Sequence, residues 1–113
     1  MLEKNQMKMI ISDLCSGLTR IFPGEEPEAI LFGSYARGDA DEGSDVDVLV
    51  LLDSTKEMIA QKEWEVGNIA GDILLNYGVL VSPVVENRKY YIENSSFLPF
   101  FRNIEREGVR VYG

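Results

Sequence analysis

Asp45 and Asp47 stand at i and i+2 in "GSDVDVLV", where an acidic loop gives way to an apolar run. Side chains alternate along a strand, so both carboxylates fall on one face with their Cα atoms about 6.6 Å apart. Val46 and Val48 point the other way, towards a core. Two carboxylates projecting from one strand end repel each other unless a cation lies between them. Mg2+, a hard ion that seeks oxygen, suits such a pair, with phosphate oxygens completing its octahedron. One metal can activate an attacking hydroxyl while a second holds the leaving phosphates.

Gly33-Ser34, separated from Asp45 by ten intervening residues, supplies a second half. It lies where the short apolar stretch "AILF" ends and a helical turn, "SYARG", begins. Glycine lets the backbone approach a ligand, the N–H groups of such a turn can seat an anion, and Ser34 adds its hydroxyl. For Arg37, one turn on, two readings stand: a bidentate contact to phosphate, or a surface pair with Asp39 or Asp41. Asp39, Asp41 and Glu42 read as a solvated loop. "DADEGSDVDVLV" also imitates a calcium loop, but Ser44 replaces the glycine at its sixth position and Val50 the glutamate at its twelfth. Arg37-Gly38-Asp39 spells an adhesion tripeptide, with nothing to suggest export.

The stretch "GSYARGDADEGSDVDVLV" (33–50), in which Gly33-Ser34 and Asp45-x-Asp47 are separated by ten residues, resembles the polymerase β-like nucleotidyltransferases. In its fuller form it looks like their minimal nucleotidyltransferase group, small domains often found beside a HEPN-domain partner, some of them antitoxins. The strong match covers 28–53. The resemblance implies that Asp45 and Asp47 are catalytic and bind Mg2+, and that Gly33 and Ser34 hold the nucleotide triphosphate. Arg37 and Ser44 join them as nucleotide-binding candidates. It further implies ATP or another NTP as donor and attack by an acceptor hydroxyl on the α-phosphate with release of pyrophosphate. In the antitoxins that hydroxyl is a tyrosine of the HEPN partner. Active members present a third carboxylate from a neighbouring strand; here the matching position in "VLVSPVVE" is Ser82. Glu86 lies on the same face but roughly 13 Å further along. Two functions are therefore carried forward: a transferase of AMP to a protein or small-molecule hydroxyl, and a nucleotide- and partner-binding module that has lost catalysis.

The elements that must position these residues follow from the pattern of apolar residues. Met7, Ile10, Ile11, Leu14, Leu18 and Ile21 mark an amphipathic helix over 3–21, and "PGEEP" is a turn. "AILFG" and "VDVLVLLD" are strands. Asp53-Ser54-Thr55 caps a helix expected over 55–77, with Met58, Ile59, Trp64, Ile69, Ile73 and Leu74 inward and Gly78 as its terminator. "VLVSPVVE" is a third strand, at an edge or bulged because of Pro83. "NRKYY" starts a short helix or turn, a last helix runs from about Ser95 or Ser96 to Gly108, and "VRVY" returns as a strand. Trp64, Tyr77 and the aromatic group Tyr90, Tyr91, Phe97, Phe100 and Phe101 read as packing; any exposed part of that group is the first candidate for a partner interface. Cys15 belongs to the core.

The fold class is α/β or α+β, a small mixed sheet backed by helices in the polymerase β-like arrangement, as one domain over 1–113. Composition is that of a globular chain: 45% hydrophobic and 27% charged residues in 113. Nineteen acidic against eleven basic side chains give a net charge of -8, which argues against nonspecific nucleic-acid binding and fits a basic partner or bound cations. A single cysteine forbids an internal disulfide and fits a cytoplasmic setting. The absence of histidine excludes Ser-His and Cys-His catalysis and most zinc sites. No stretch has the apolar length of a membrane span or a signal peptide.

Overall fold

The N-terminal apolar stripe is buried as its spacing predicts. In the computed structural model, which describes residues 2–113, α1 spans Lys4–Ile21 and buries Ile10, Ile11, Leu14, Cys15 and Leu18. Glu3 and Gln6 close its first turn as a capping box. Burial pushes the Cys15 thiol up to about 11, as befits a core residue.

Four strands form one mixed sheet in the order β3-β2-β1-β4, from β1 (Glu28–Phe32), β2 (Val46–Leu52), β3 (Val81–Asn87) and β4 (Val109–Tyr112). β1 runs antiparallel to both β2 and β4, while β2 and β3 are parallel. β2 is buried on both faces, which explains its unbroken apolar run. Val46, Val48, Val50 and Leu52 pack with α1 on one face. Leu49 and Leu51 pack with Tyr91, Phe101 and Ile104 on the other. By the two-residue period Asp47 belongs to this second face, and it is the one residue of β2 that is not buried.

The expected helix over 55–77 is two helices. α3 (Lys56–Gln61) is capped by the Thr55 hydroxyl, and α4 (Glu63–Tyr77) restarts after Lys62, whose φ of -100° and ψ of 6° break the first ladder. The break resets the helical phase. Val66 and Ile73 become the buried residues of α4, with Ile69 and Tyr77 packed alongside. Met58, Trp64 and Leu74 face outward, and Trp64 is 81% exposed rather than packed. Tyr77 does pack, its hydroxyl donating to Asp13 of α1. Gly78 ends α4 as expected.

β3 takes the edge, in an unbroken register that sets Ser82 beside Asp47 and Glu86 beside Leu51. Pro83 therefore costs no ladder bond on a strand with one neighbour. α5 (Arg88–Asn94) follows directly. α6 (Pro99–Glu107) starts later than the serines suggest because Pro99 takes the first helical turn, where its missing N–H is harmless. The aromatic group divides: Tyr91 and Phe101 are buried, whereas Phe97 and Phe100 are exposed. No described helix is long and apolar enough to cross a membrane.

Candidate active site

The antiparallel pairing of β1 with β2 builds the site. Phe32, the last residue of β1, pairs with Asp47, so the chain leaves β1 directly against that carboxylate. Gly33 turns there with φ 74° and ψ -154°. A Cβ at this position would lie 3.2 Å from Asp47 Cγ and inside contact of Oδ2. The turn continues at once into α2 (Ser34–Arg37), closed by Gly38. Gly33 O accepts from the Ala36 and Arg37 amides. Among the described residues nothing accepts from the Ser34 and Tyr35 amides, which with the Ser34 hydroxyl are donors open to a ligand.

Arg37 makes surface pairs, Nε donating to Asp39 Oδ2 at 3.3 Å and Nη1 to Glu107 Oε1 at 3.5 Å. Both partners push its basicity up, Asp39 more than Glu107. Asp41 instead organises the loop. Its Oδ1 accepts from Gly43 N–H at 2.9 Å and from the Ser44 hydroxyl at 3.2 Å, while Ser44 Oγ accepts from the Asp41 amide. Ser44 thus sets the approach to Asp45. Next to it is a cleft of about 460 Å3 lined by Leu2, Gln6, Tyr35, Ser44, Asp45 and Leu80, among others. A cavity of about 450 Å3 between α3 and β3, holding Lys56 and Glu86, lies along β3 beyond Ser82.

Asp45, exposed just before β2, and Asp47, half-buried within it, lie close enough to act on each other. Desolvation raises the Asp47 carboxyl above its ordinary value, the Asp45 charge raises it further, and Arg37 opposes both. Neither aspartate forms an ion pair among the described residues. A raised folded pKa means that ionising Asp47 costs stability, so this contribution is lost as pH rises from the unfolded pKa through the folded one. The Asp47→Asn variant is expected to melt above wild type at about pH 7, with the gap closing towards about pH 3, where the Asp47 carboxyl is protonated in the folded and the unfolded chain alike. Thermal melts across that range check it; a gap independent of pH would contradict it.

A third carboxylate does not join the pair from β3. Ser82 stands beside Asp47, and Glu86 is bound elsewhere, to Lys56 at 3.2 Å. No cluster of three or more metal-ligating side chains occurs among the described residues. Two unpaired carboxylates beside open amide donors, Asp47 with its proton affinity raised, are nonetheless a donor set that fits a hard cation carrying phosphate oxygens. The group that sequence reasoning missed is Glu107, at the end of α6, whose Oε1 accepts from Gly33 N–H at 3.2 Å. No local pattern marks it, because it reaches the turn from 74 residues away.

A family profile described as a nucleotidyltransferase domain matches residues 12–106. Two proteins of Methanocaldococcus jannaschii are similar over most of the chain. "Putative protein adenylyltransferase MJ0141" is 40% identical over 103 residues, 90% of this chain and 95% of that protein. "Putative protein adenylyltransferase MJ0604" is 31% identical over 102 residues, 90% and 94% respectively. Among solved structures, a toxin-antitoxin with AMP-PNP superposes with a TM-score of 0.56 at 21% identity, over 90% of this chain and 72% of that one. A structure described as "a putative nucleotidyltransferase from Sulfolobus solfataricus" gives 0.56 at 20% identity, over 94% and 76%. At these identities the two structures show a shared fold.

Proposed function

Because this chain belongs to the nucleotidyltransferase domain family, we propose that it is an Mg2+-dependent transferase moving AMP from ATP to a hydroxyl of a protein partner or small molecule. The observation that carries this reading is the packing of the Gly33 turn against Asp47, which puts a set of phosphate donors beside a carboxylate pair. Ser34, through its hydroxyl and amide, and the Tyr35 amide receive the outer phosphates. Arg37 supplies a guanidinium at their side, and the loop locked by Ser44 and Asp41 holds Asp45 in place. Asp45 and Asp47 hold Mg2+, which when bound neutralises the developing charge and favours loss of the acceptor proton. In the reaction the acceptor hydroxyl gives up its proton to solvent as its oxygen bonds to the α-phosphorus, the bond from that phosphorus to the oxygen bridging to the β-phosphate breaks, and pyrophosphate leaves.

The protein relatives named as adenylyltransferases support a protein hydroxyl as acceptor, and the toxin-antitoxin neighbour supports a paired partner. A HEPN-domain toxin, with this chain as its single-domain cytoplasmic antitoxin, is the partner proposed. The charge of -8 suits docking on a basic surface. Incubation with ATP labelled at the α-phosphate, Mg2+ and the purified partner is expected to label the partner, while ATP labelled at the γ-phosphate leaves it unlabelled. Ser82 beside Asp47 favours a second reading, a nucleotide- and partner-binding module without transfer. Tight MgATP binding with no label moved from the α-phosphate would select it, and no nucleotide binding at all would sink both.

A further inference from the structure

Glu107 has no part in the reaction just described, yet it is the side chain that ties the C-terminal helix to the Gly33 turn. Its place is fixed from behind. Phe101 and Ile104 bury one face of α6. At Gly108 the helix meets β1 so closely that a Cβ would lie 2.7 Å from Ile30 Cγ2 and 2.5 Å from Ile104 O. β4 then pairs with β1, Val109 beside Leu31. The carboxylate that this corner delivers uses one oxygen for two donors, the Gly33 amide and the Arg37 guanidinium.

An acid beside a phosphate seat opposes nucleotide unless its charge is already engaged, and here it is engaged by Arg37. It does not join Asp45 and Asp47 in a cluster of three among the described residues, and its two contacts are to the amide of the turn and to the guanidinium one turn on. We infer that Glu107 is a positioning residue of the nucleotide site. By accepting from Gly33 N–H it holds that glycine in its positive-φ turn with Cα against Asp47, and it restrains Arg37 beside the carboxylates. The inference rests on the nucleotide reading above for its purpose, but not for its geometry.

The test compares wild type, Glu107→Gln and Glu107→Ala by amide hydrogen exchange at Gly33 and by titration with MgATP. In Glu107→Ala, Gly33 exchange is expected to rise about fivefold to tenfold and MgATP affinity to fall by a similar factor, the worth of one part-buried hydrogen bond. Glutamine keeps an oxygen that can accept from the amide, so Glu107→Gln is expected to stay within about threefold of wild type in both. Gly33 exchange unchanged in the alanine variant overturns the inference. So does glutamine failing as badly as alanine, or tighter MgATP binding by either variant. Faster exchange spread equally over the β2 amides also overturns it, in favour of a plain stabilising contact. If wild type binds no MgATP, the nucleotide reading falls, and Gly33 exchange still decides whether Glu107 positions the turn.

Discussion

Titration of ATP with Mg2+ into the Asp45→Asn/Asp47→Asn variant is expected to give an affinity about a hundredfold below wild type, no better than either protein without Mg2+. A unit charge pair at contact distance near a protein surface attracts by about 4 kcal/mol, and a divalent ion feels two such carboxylates. Asparagine keeps an oxygen ligand but none of that attraction. The variant should nevertheless fold. The aspartates repel each other and Asp47 is partly desolvated, so the same change that removes the site relieves a strain on the native state. Activity lost with stability kept or gained separates a binding role from a structural one. Equal affinity in all four titrations would remove the metal site.

Gly33→Ala is expected to damage stability and binding together. At φ 74° and ψ -154° the backbone lies in a region that is essentially restricted to glycine and costs another residue about 1–3 kcal/mol. The added methyl also runs into the Asp47 carboxylate, which must rotate off the position that faces Asp45. MgATP binding should fall at least about thirtyfold, roughly 2 kcal/mol of lost interaction. Gly38→Ala is the control. Gly38 also has positive φ, at 83°, but a Cβ there meets nothing within 4 Å. It should lower the melting temperature while leaving affinity within about threefold of wild type. Binding by Gly33→Ala that matches the Gly38 variant would show that the turn does not seat the nucleotide.

What could be read from the sequence follows the range of the forces involved. β2 announces itself because burial on both faces demands an unbroken apolar run, and α1 because burial on one face demands a stripe. The proximity of Gly33 to Asp47 is legible through the resemblance, and its cause is the antiparallel pair of β1 and β2, whose register ends with Phe32 beside Asp47. The break at Lys62 was not legible. "KEMIAQKEWEV" suits one continuous helix, and only packing of α3 on β3 and α4 on α1 requires two phases, which turns Trp64 outward. Ser82 is legible only through the resemblance, which gives it the place of the third carboxylate on a neighbouring strand; the parallel register that sets it beside Asp47 is a finding of the structure. Glu107 was missed because its contact depends on how α6 docks on β1, a tertiary fact with no local trace.

The pairing of β1 with β4 has a consequence for the entropy of folding. β1 meets β2 by closing a short loop, and that event brings Gly33 and Asp47 together. β4 and Glu107 reach the same strand only across a separation of 74 residues between Gly33 and Glu107. Loop closure costs more entropy as the loop lengthens, and distant contacts slow the search for the native chain path. The loop that joins the glycine turn to the carboxylates therefore costs less entropy to close than the one that brings in Glu107. The contact that positions the turn thus depends on the same long-range docking that adds β4 to the sheet.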